Sequence, residues 1–275
     1  MPVWKRKGWE KVKLLREENK AFFQKDAVSI WSDPPIRTAL VAMPLVFVIA
    51  VPVIFLAMIY VVPMGSLNGV SRMFELMPGY AQECTVDQMM FYLMVNIVCP
   101  MFFLLNALLT ASLSSALLFG GEKGRSTSET LMLTPLSARE IFRVKVQCCL
   151  LFAGISSVVS IVALLIVVTV GSILLGMFFF SSLWLIVLLV LMPAVSVLGA
   201  LSMAFLSKRA ENTFSCAQLS GYAALPVILL FVLQLTGIYQ LNAVVLLVFG
   251  VLVIVADIIL WGACCRYFSE ERLVW

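Results

Sequence analysis

Long apolar stretches separated by short polar ones dominate this chain. Crossing ~30 Å of hydrocarbon takes about 20 helical residues, and four uncharged runs reach that length: Ala39–Val62, Phe91–Gly120, Gln147–Ser207 and Cys216–Ala256. The last two are each about double length. Gly and polar residues at Gly176–Ser182 and Gly237–Asn242 divide them, because such residues interrupt helices. The pattern therefore predicts six membrane-spanning helices.

The overall composition agrees with this pattern. Hydrophobic residues make up 62% of the chain, charged residues only 12%, and the mean hydropathy is +1.06, which is far from the values of a soluble domain. We therefore predict an all-α membrane protein in three parts. Residues 1–38 form cytoplasmic amphipathic and elbow helices, residues 39–265 form a six-span transmembrane domain, and residues 266–275 form a cytoplasmic tail.

The basic residues predict the orientation, because cytoplasmic loops retain Lys and Arg. With six spans, all but one of the 19 Lys and Arg residues fall on one side of the membrane, and the exception is Arg72 in the external loop Met64–Met90. We therefore expect both termini in the cytoplasm and the chain in the plasma membrane. No large external domain is predicted.

The N-terminal arm combines basic residues with regularly spaced apolar and aromatic ones. This pattern is typical of helices that lie along a membrane surface. The arm either only holds the topology and contacts anionic lipid or also transmits force, and the residues favour neither. Asp33-Pro34-Pro35 then predicts a turn before the first span, since Pro lacks an amide hydrogen and restricts the residue before it.

Missing residue types exclude several chemistries. The chain has no histidine, so His-based triads, His proton relays and the usual zinc hydrolase sites are not available. It also lacks a G-x-x-x-x-G-K-[ST] phosphate loop, so ATP is not expected to bind this chain by that route. We predict a protein without catalytic residues, without a metal and without a nucleic-acid partner. The seven cysteines fit small apolar packing residues better than a disulfide framework.

One charged segment, Gly121 to Lys145, separates the second and third apolar runs. Both Ser126-Thr127-Ser128-Glu129 and Ser137-Ala138-Arg139-Glu140 have capping-box spacing, which marks helix starts. The segment therefore predicts a short helix, roughly Thr127 to Leu133, a turn at Thr134-Pro135, and a longer helix that enters the third span. Leu131, Met132 and Leu133 form an apolar side that either docks on a partner or dips into lipid headgroups.

The same segment carries a family resemblance. The pattern E-x-x-x-x-T-x-E-T-L-M-L-T-P-L-S-A-R-E-I, from Glu122 to Ile141, resembles the cytoplasmic-loop signature of permeases of the type V ATP-binding-cassette (ABC) exporter family. Lys25 to Pro44 resembles that family's surface helix and elbow, and Ser207 to Pro226 its fifth-span region. With the six-span layout, the resemblance extends over nearly the whole chain.

The resemblance implies a half-transporter. Two permease copies, identical or paralogous, would pair, and two separate ABC ATPase subunits would hold the ATP and Mg²⁺. The central segment would then be the coupling helix that docks on the ATPase. Its implied docking residues are Glu122, Thr127, Glu129, Leu131, Met132, Leu133, Thr134, Pro135 and Arg139. Glu129 would make a polar contact, Leu131 to Thr134 would pack, and Arg139 would support them.

Polar residues within spans suggest a translocation path, since they are costly against lipid. Asn96, Phe103, Asn106 and Thr110 share one face of the second span by their three- and four-residue spacing. Gln218, Tyr222 and Thr236 share a face of the fifth. The resemblance implies that both spans line the dimer interface. The alternative is ordinary hydrogen bonding between helices, and the sequence alone leaves both open.

Asp257 is the one charged residue inside a predicted span. An unpaired Asp at mid-membrane costs ~2.5–3.5 kcal/mol on insertion scales. A structural partner, such as Arg266 or an amide, is the favoured explanation, and a coupling-ion role is the alternative.

The sequence thus predicts the permease subunit of an ABC exporter. Its Met- and Phe-rich interior favours an amphipathic drug, peptide or lipid-like cargo. A self-contained secondary transporter or channel, driven by an ion gradient, is the alternative from a different class. An intramembrane enzyme is the third possibility, and it has little support because no paired catalytic constellation is visible.

Overall fold

The fold was analysed in a computed structural model that describes residues 20–61, 85–121, 138–176, 181–207, 221–230, 232 and 243–267. Within these residues the chain is helical and contains no strand. Five helices are long and apolar enough to cross a membrane: Pro34–Ile59, Val86–Gly120, Arg139–Leu175, Leu183–Leu206 and Ala243–Arg266. The all-α prediction is therefore confirmed over the described ranges, and five of the six predicted spans have helices of spanning length.

We number the helices in chain order. Helix α1 covers residues 20–32. Helix α2 runs through Pro34–Met43, Pro44–Ala50 and Val51–Val61. The remaining helices are α3 (Val86–Gly120), α4 (Ala138–Leu175), α5 (Leu183–Leu206), α6 (Gly221–Leu230) and α7 (Ala243–Tyr267). Helix α6, which is described over Gly221–Leu230, lies where the fifth span is predicted.

Side-chain caps explain why two of the helices begin earlier than predicted. Asp33 Oδ1 accepts a hydrogen bond from the amide of Ile36 (3.4 Å), with Pro in the first turn of α2, and both features favour a helix start. Thr85 and Gln88 form a reciprocal capping box at the start of α3. Helix α3 therefore begins at Val86, inside the predicted external loop Met64–Met90, and extends beyond the apolar run.

Wide π-type turns accommodate prolines inside the spans. They occur at Pro44–Ala50, at Met94–Val98 directly before Cys99-Pro100, and at Val187–Leu191 directly before Met192-Pro193. A proline cannot donate to the carbonyl four residues before it and its ring clashes there, so a locally widened turn lets the helix continue. A fourth such turn, Ala116–Gly120, ends α3 without a proline.

The predicted break in the third long apolar run is confirmed. Helix α4 ends at Leu175, and Gly176 follows with φ +72°, a left-handed conformation that glycine adopts without a steric penalty. The next helix, α5, begins at Leu183. Gln88 Nε2 donates a hydrogen bond of 2.9 Å to the Leu175 carbonyl, which also ties this helix end to the start of α3.

Contacts along the helices fix their relative directions. Helix α4 runs antiparallel to α3, because Gln88 bonds Leu175 at one end and Lys145 bonds Leu118 at the other. Helix α5 runs in the direction of α3, because Ser181 bonds Asn96 and, further along both, Ala200 bonds Ser115.

Helix α7 in turn runs in the direction of α5. Gly250 lies beside Val190, and Cys264 Sγ lies 3.8 Å from the Leu201 carbonyl. Helix α2 is antiparallel to α3, since Pro34–Met43 packs on Cys99–Ser115 and Val51–Val61 packs on Val86–Leu93.

The helices therefore share two ends. We call the end formed by Pro34, Gly120, Ala138, Leu206 and Tyr267 the basic end. Within the described ranges every Lys and Arg lies at this end: Lys20, Lys25, Arg37, Arg139, Arg143, Lys145 and Arg266. Helix α1 packs there too, because Ile30 is buried in one cluster with Ile36, Phe119, Phe142 and Cys264.

Helix α3 is the centre of the bundle. In an apolar stretch of 18 residues within α3, 72% of the residues are buried. The corresponding share is 17% in α2 and 22% in α7. Helices α4 and α7 each leave one side of large apolar residues exposed, including Val158, Val162, Ile166, Val251 and Ile258. Such faces suit contact with hydrocarbon rather than with water.

Candidate functional site

The described residues include only the edges of the central segment. Glu122, Thr127, Glu129 and the run from Leu131 to Pro135 lie outside them, so their docking role stays a prediction. Arg139 is exposed in the first turn of α4 at the basic end. It is therefore accessible to a partner on that side.

Lys145 anchors the base of this segment. Its side chain is 3% exposed, its Nζ donates a hydrogen bond of 2.8 Å to the Leu118 carbonyl, and the ammonium lies 5.2 Å from the centroid of the Phe119 ring. A hydrogen bond from a charged donor is stronger than one between neutral groups. Lys145 thus ties the last described turns of α3 to the neighbouring helix.

A polar cluster joins α3 and α4 in the middle of the bundle. Asn106 Nδ2 donates to Ser156 Oγ (3.1 Å) and to Ser160 Oγ (3.0 Å). Thr110 Oγ1 donates to the backbone carbonyl of Asn106 (2.7 Å). Asn106 and Thr110 are both fully buried. Asn106 Oδ1 has no hydrogen-bond partner among the residues described.

The outer part of the same α3 face contacts the start of α5. Asn96 Oδ1 accepts from the Ser181 amide (3.1 Å), and Asn96 Nδ2 donates to the Tyr92 carbonyl. Phe103 packs edge-on against Trp184, with ring centroids 5.9 Å apart. Asn96 is 3% exposed and Phe103 is 1% exposed.

The four α3 residues predicted for a translocation path therefore all have partners within the chain. This is the arrangement that the interhelical hydrogen-bonding alternative describes, and such bonds join membrane helices. In this conformation α3 is enclosed by neighbouring helices and presents none of the four to a second copy. Their lining of a path in another conformation remains a prediction.

Helix α6 is different, because its predicted face is open. Tyr222 is 65% exposed, and Leu225 and Leu229 are exposed on the same side. Gln218 and Thr236, the other predicted path residues, lie outside the described ranges. The α6 face is therefore available to lipid or to a second copy.

Asp257 lies buried on α7, 8% exposed, and its Oδ1 has no hydrogen-bond partner among the described residues. Arg266, the partner that the sequence suggested, is exposed and lies about 13 Å further along the helix axis. That pairing is not formed. Helix α5, against which α7 packs, contains no charged residue, so it brings no countercharge to this carboxyl group.

The described cysteines fit the packing role. Cys99, Cys148, Cys149 and Cys264 are buried free thiols, and Cys265 is half-buried. Across the part of the chain that the structure describes, no three His, Cys, Asp or Glu side chains come together as a metal site.

Sequence reasoning missed three contributors to these contacts. Ser156 and Ser160 face Asn106 from α4, and their four-residue spacing matches that of Asn106 and Thr110 on α3, which was a usable signal. Lys145 was counted only as a topological charge. Nothing in the sequence marked it as buried.

Comparison of the chain with protein-family models, with curated proteins and with solved structures found no match.

Proposed function

We propose that this chain is the permease subunit of an ABC exporter, which moves an amphipathic drug, peptide or lipid-like cargo out of the cell with ATP hydrolysed by a separate ATPase. The observation that carries the proposal is the central segment. It bears the coupling-type pattern from Glu122 to Ile141, and it leaves α3 and enters α4 at the basic end of the bundle. A segment that docks on a cytoplasmic ATPase has to lie at the cytoplasmic end of the helices, and basic residues mark that end.

The helix directions support six crossings. Helix α5 ends at the basic end, while α7 runs in the same direction and begins at the opposite end. The chain between Leu206 and Ala243 therefore has to return across the bilayer. Helix α6, which is apolar, supplies part of that return. With six crossings and the basic end in the cytoplasm, both termini are cytoplasmic.

Reporter fusions test this topology. We expect alkaline phosphatase to be inactive when fused after Lys208 and active when fused after Asn242, because the two positions would lie on opposite sides of the membrane. A green fluorescent protein fused at the same positions should give the inverse pattern. Equal phosphatase activity at both positions would contradict the fifth crossing, between Leu206 and Ala243.

Site-specific photo-crosslinking tests the docking role. We expect p-benzoyl-phenylalanine incorporated at Leu131 of the full-length chain to crosslink in cells to a protein with the nucleotide-binding motifs of an ABC ATPase. The same group at Val86, which is exposed at the opposite end of the bundle, is the control and should not reach that protein. Crosslinks from Leu131 to lipid alone would favour the headgroup alternative and contradict docking.

A gradient-driven secondary transporter is kept as the second candidate because of Asp257. A buried carboxyl group without a hydrogen-bond partner at Oδ1 is the kind of intramembrane acid that proton-coupled carriers use. That function would leave the pattern from Glu122 to Ile141 without a role, and for this reason the ABC permease is preferred.

A further inference from the structure

The buried ammonium of Lys145 lies where two helices of the basic end meet. It bonds the Leu118 carbonyl at the end of α3, contacts the Phe119 ring, and belongs to α4. The turn that presents Leu118 is the π-type turn Ala116–Gly120, the one such turn among the described helices with no proline in it or directly after it. Single π-type turns inside α-helices occur frequently at functional sites.

The surface helix α1 contributes a second buried charge to the same region. Asp26 is 1% exposed and lies one turn before Ile30 on α1. Ile30 is buried in one cluster with Cys148 and Cys149, one turn beyond Lys145 on α4. Ile30 of α1 packs in the same cluster as Phe119 and Phe142. The opposite charges of α1 and α4 thus share one apolar environment at low dielectric.

The hydrogen bond between Lys145 and Leu118 joins the chain on the two sides of the central segment. Leu118 and Lys145 are 27 residues apart in sequence, and the residues proposed to dock on the ATPase lie between them. A force applied to that segment reaches the membrane helices through the ends of α3 and α4. If these ends are bonded to each other, they move as one body. If they are not, the segment can flex while the helices stay in place.

From these contacts we propose that Lys145 is a positioning residue for energy coupling. It joins the ends of α3 and α4, against which α1 packs through Ile30, into one rigid base that passes movement of the central segment into the bundle. The coupling role of Lys145 rests on the proposed ABC function. The rigid base itself can be measured without the ATPase.

The first experiment uses the full-length chain alone in lipid nanodiscs, with hydrogen exchange measured by mass spectrometry. We expect Lys145→Met to accelerate amide exchange in peptides that cover residues 116–121 and 138–145 by about tenfold to a hundredfold, because a bond from a charged donor is lost. Arg143→Met is the matched control, since Arg143 is exposed two residues earlier on the same helix, and it should leave these rates unchanged. Equal exchange in wild type and Lys145→Met would overturn the proposal.

Two further variants keep the test decisive if Lys145→Met is not recovered folded. Lys145→Arg retains a cation and should preserve slow exchange at both peptides. Phe119→Leu removes the ring beneath the ammonium, which also packs against Phe142, and should accelerate exchange at residues 116–121. Accelerated exchange in Lys145→Arg, or slow exchange in Phe119→Leu, would overturn the rigid base.

The second experiment adds the ATPase that co-purifies with the tagged chain. ATP with vanadate should change the exchange of the α3 peptide from Cys99 to Ser115 in wild type and in Arg143→Met, and not in Lys145→Met, although the ATPase remains bound and hydrolyses ATP. An unchanged response in Lys145→Met would overturn the coupling role. Failure of wild type to bind any ATPase would instead contradict the proposed function, while the first experiment still decides on the rigid base.

Discussion

Replacing Glu129 by Lys is expected to reduce the amount of ATPase recovered with the tagged chain at least tenfold. Glu129 lies in the middle of the pattern that resembles a coupling helix, and its carboxylate is proposed to face the ATPase. Reversing the charge of a residue within a polar interface both removes a favourable contact and creates a repulsive one, and a loss of ~1.4 kcal/mol already reduces binding about tenfold. Quantitative mass spectrometry of the purified complex measures the effect.

A charge reversal elsewhere on the same side of the membrane is the control for Glu129→Lys. Glu271 lies in the predicted cytoplasmic tail and carries no proposed contact, so Glu271→Lys should retain full ATPase recovery. Both variants should elute as the wild-type chain does in detergent. Normal ATPase recovery with Glu129→Lys would show that this residue does not contact the partner.

Replacing Gly199 by Leu is expected to disrupt the packing of α5 on α3. A Cβ atom at Gly199 would lie 2.6 Å from the Leu108 carbonyl oxygen and 3.4 Å from the Ala111 Cβ. The closest atom belongs to the backbone, which cannot rotate away as a side chain can. The loss of stability should be about 3 kcal/mol, at the upper end of the range for overpacked cores. Thermal unfolding of the purified chain in detergent measures it.

The same substitution at Gly262 separates this steric effect from the intrinsic cost of changing a helical glycine. A Cβ atom at Gly262 would meet nothing within 4 Å, and Leu has a higher helix propensity than Gly. Gly262→Leu should therefore leave the unfolding temperature unchanged or raise it. If Gly199→Leu were as stable as Gly262→Leu, the close contact between α3 and α5 would be wrong.

The sequence predicted the helices well wherever local physics decides the structure. The lengths of the apolar runs predicted the spanning helices. Gly176, which adopts a positive φ, marked the break between α4 and α5. The starts of helices were less accurate, because hydropathy does not register the caps formed by Asp33 and by Thr85 with Gln88. These polar residues extend the helices beyond the apolar core.

The candidate site was less predictable, because it depends on which helices pack together. Periodicity correctly grouped Asn106 and Thr110 on one face of α3. It did not indicate whether that face meets a cavity, a second copy or, as the structure has it, Ser156 and Ser160 of α4. Helix α3 occupies the centre of the bundle, and this position follows from the packing of α2, α4 and α5 around it rather than from its own sequence.

Charges were misjudged for the same reason. Lys145 belongs by sequence to a run of cytoplasmic basic residues, yet it is buried, with its ammonium on the Leu118 carbonyl and the Phe119 ring of α3. Arg266 was one of the structural partners suggested for Asp257, besides an amide, yet helix geometry separates the two charged residues. A single sequence gives the position of a charge along its helix. The burial of that charge depends on residues that are distant in the chain.

The central claim is that a separate ATPase drives this chain, and purification of the tagged full-length protein from mild detergent into nanodiscs tests it most directly. The measurement is the identity and stoichiometry of the co-purifying protein, together with its ATP hydrolysis. We predict an ABC ATPase in equal numbers with the permease, with hydrolysis that Glu129→Lys removes from the purified complex. Recovery of the bare chain alone from nanodiscs, with transport that responds to an ion gradient and changes with Asp257→Asn, would contradict the claim.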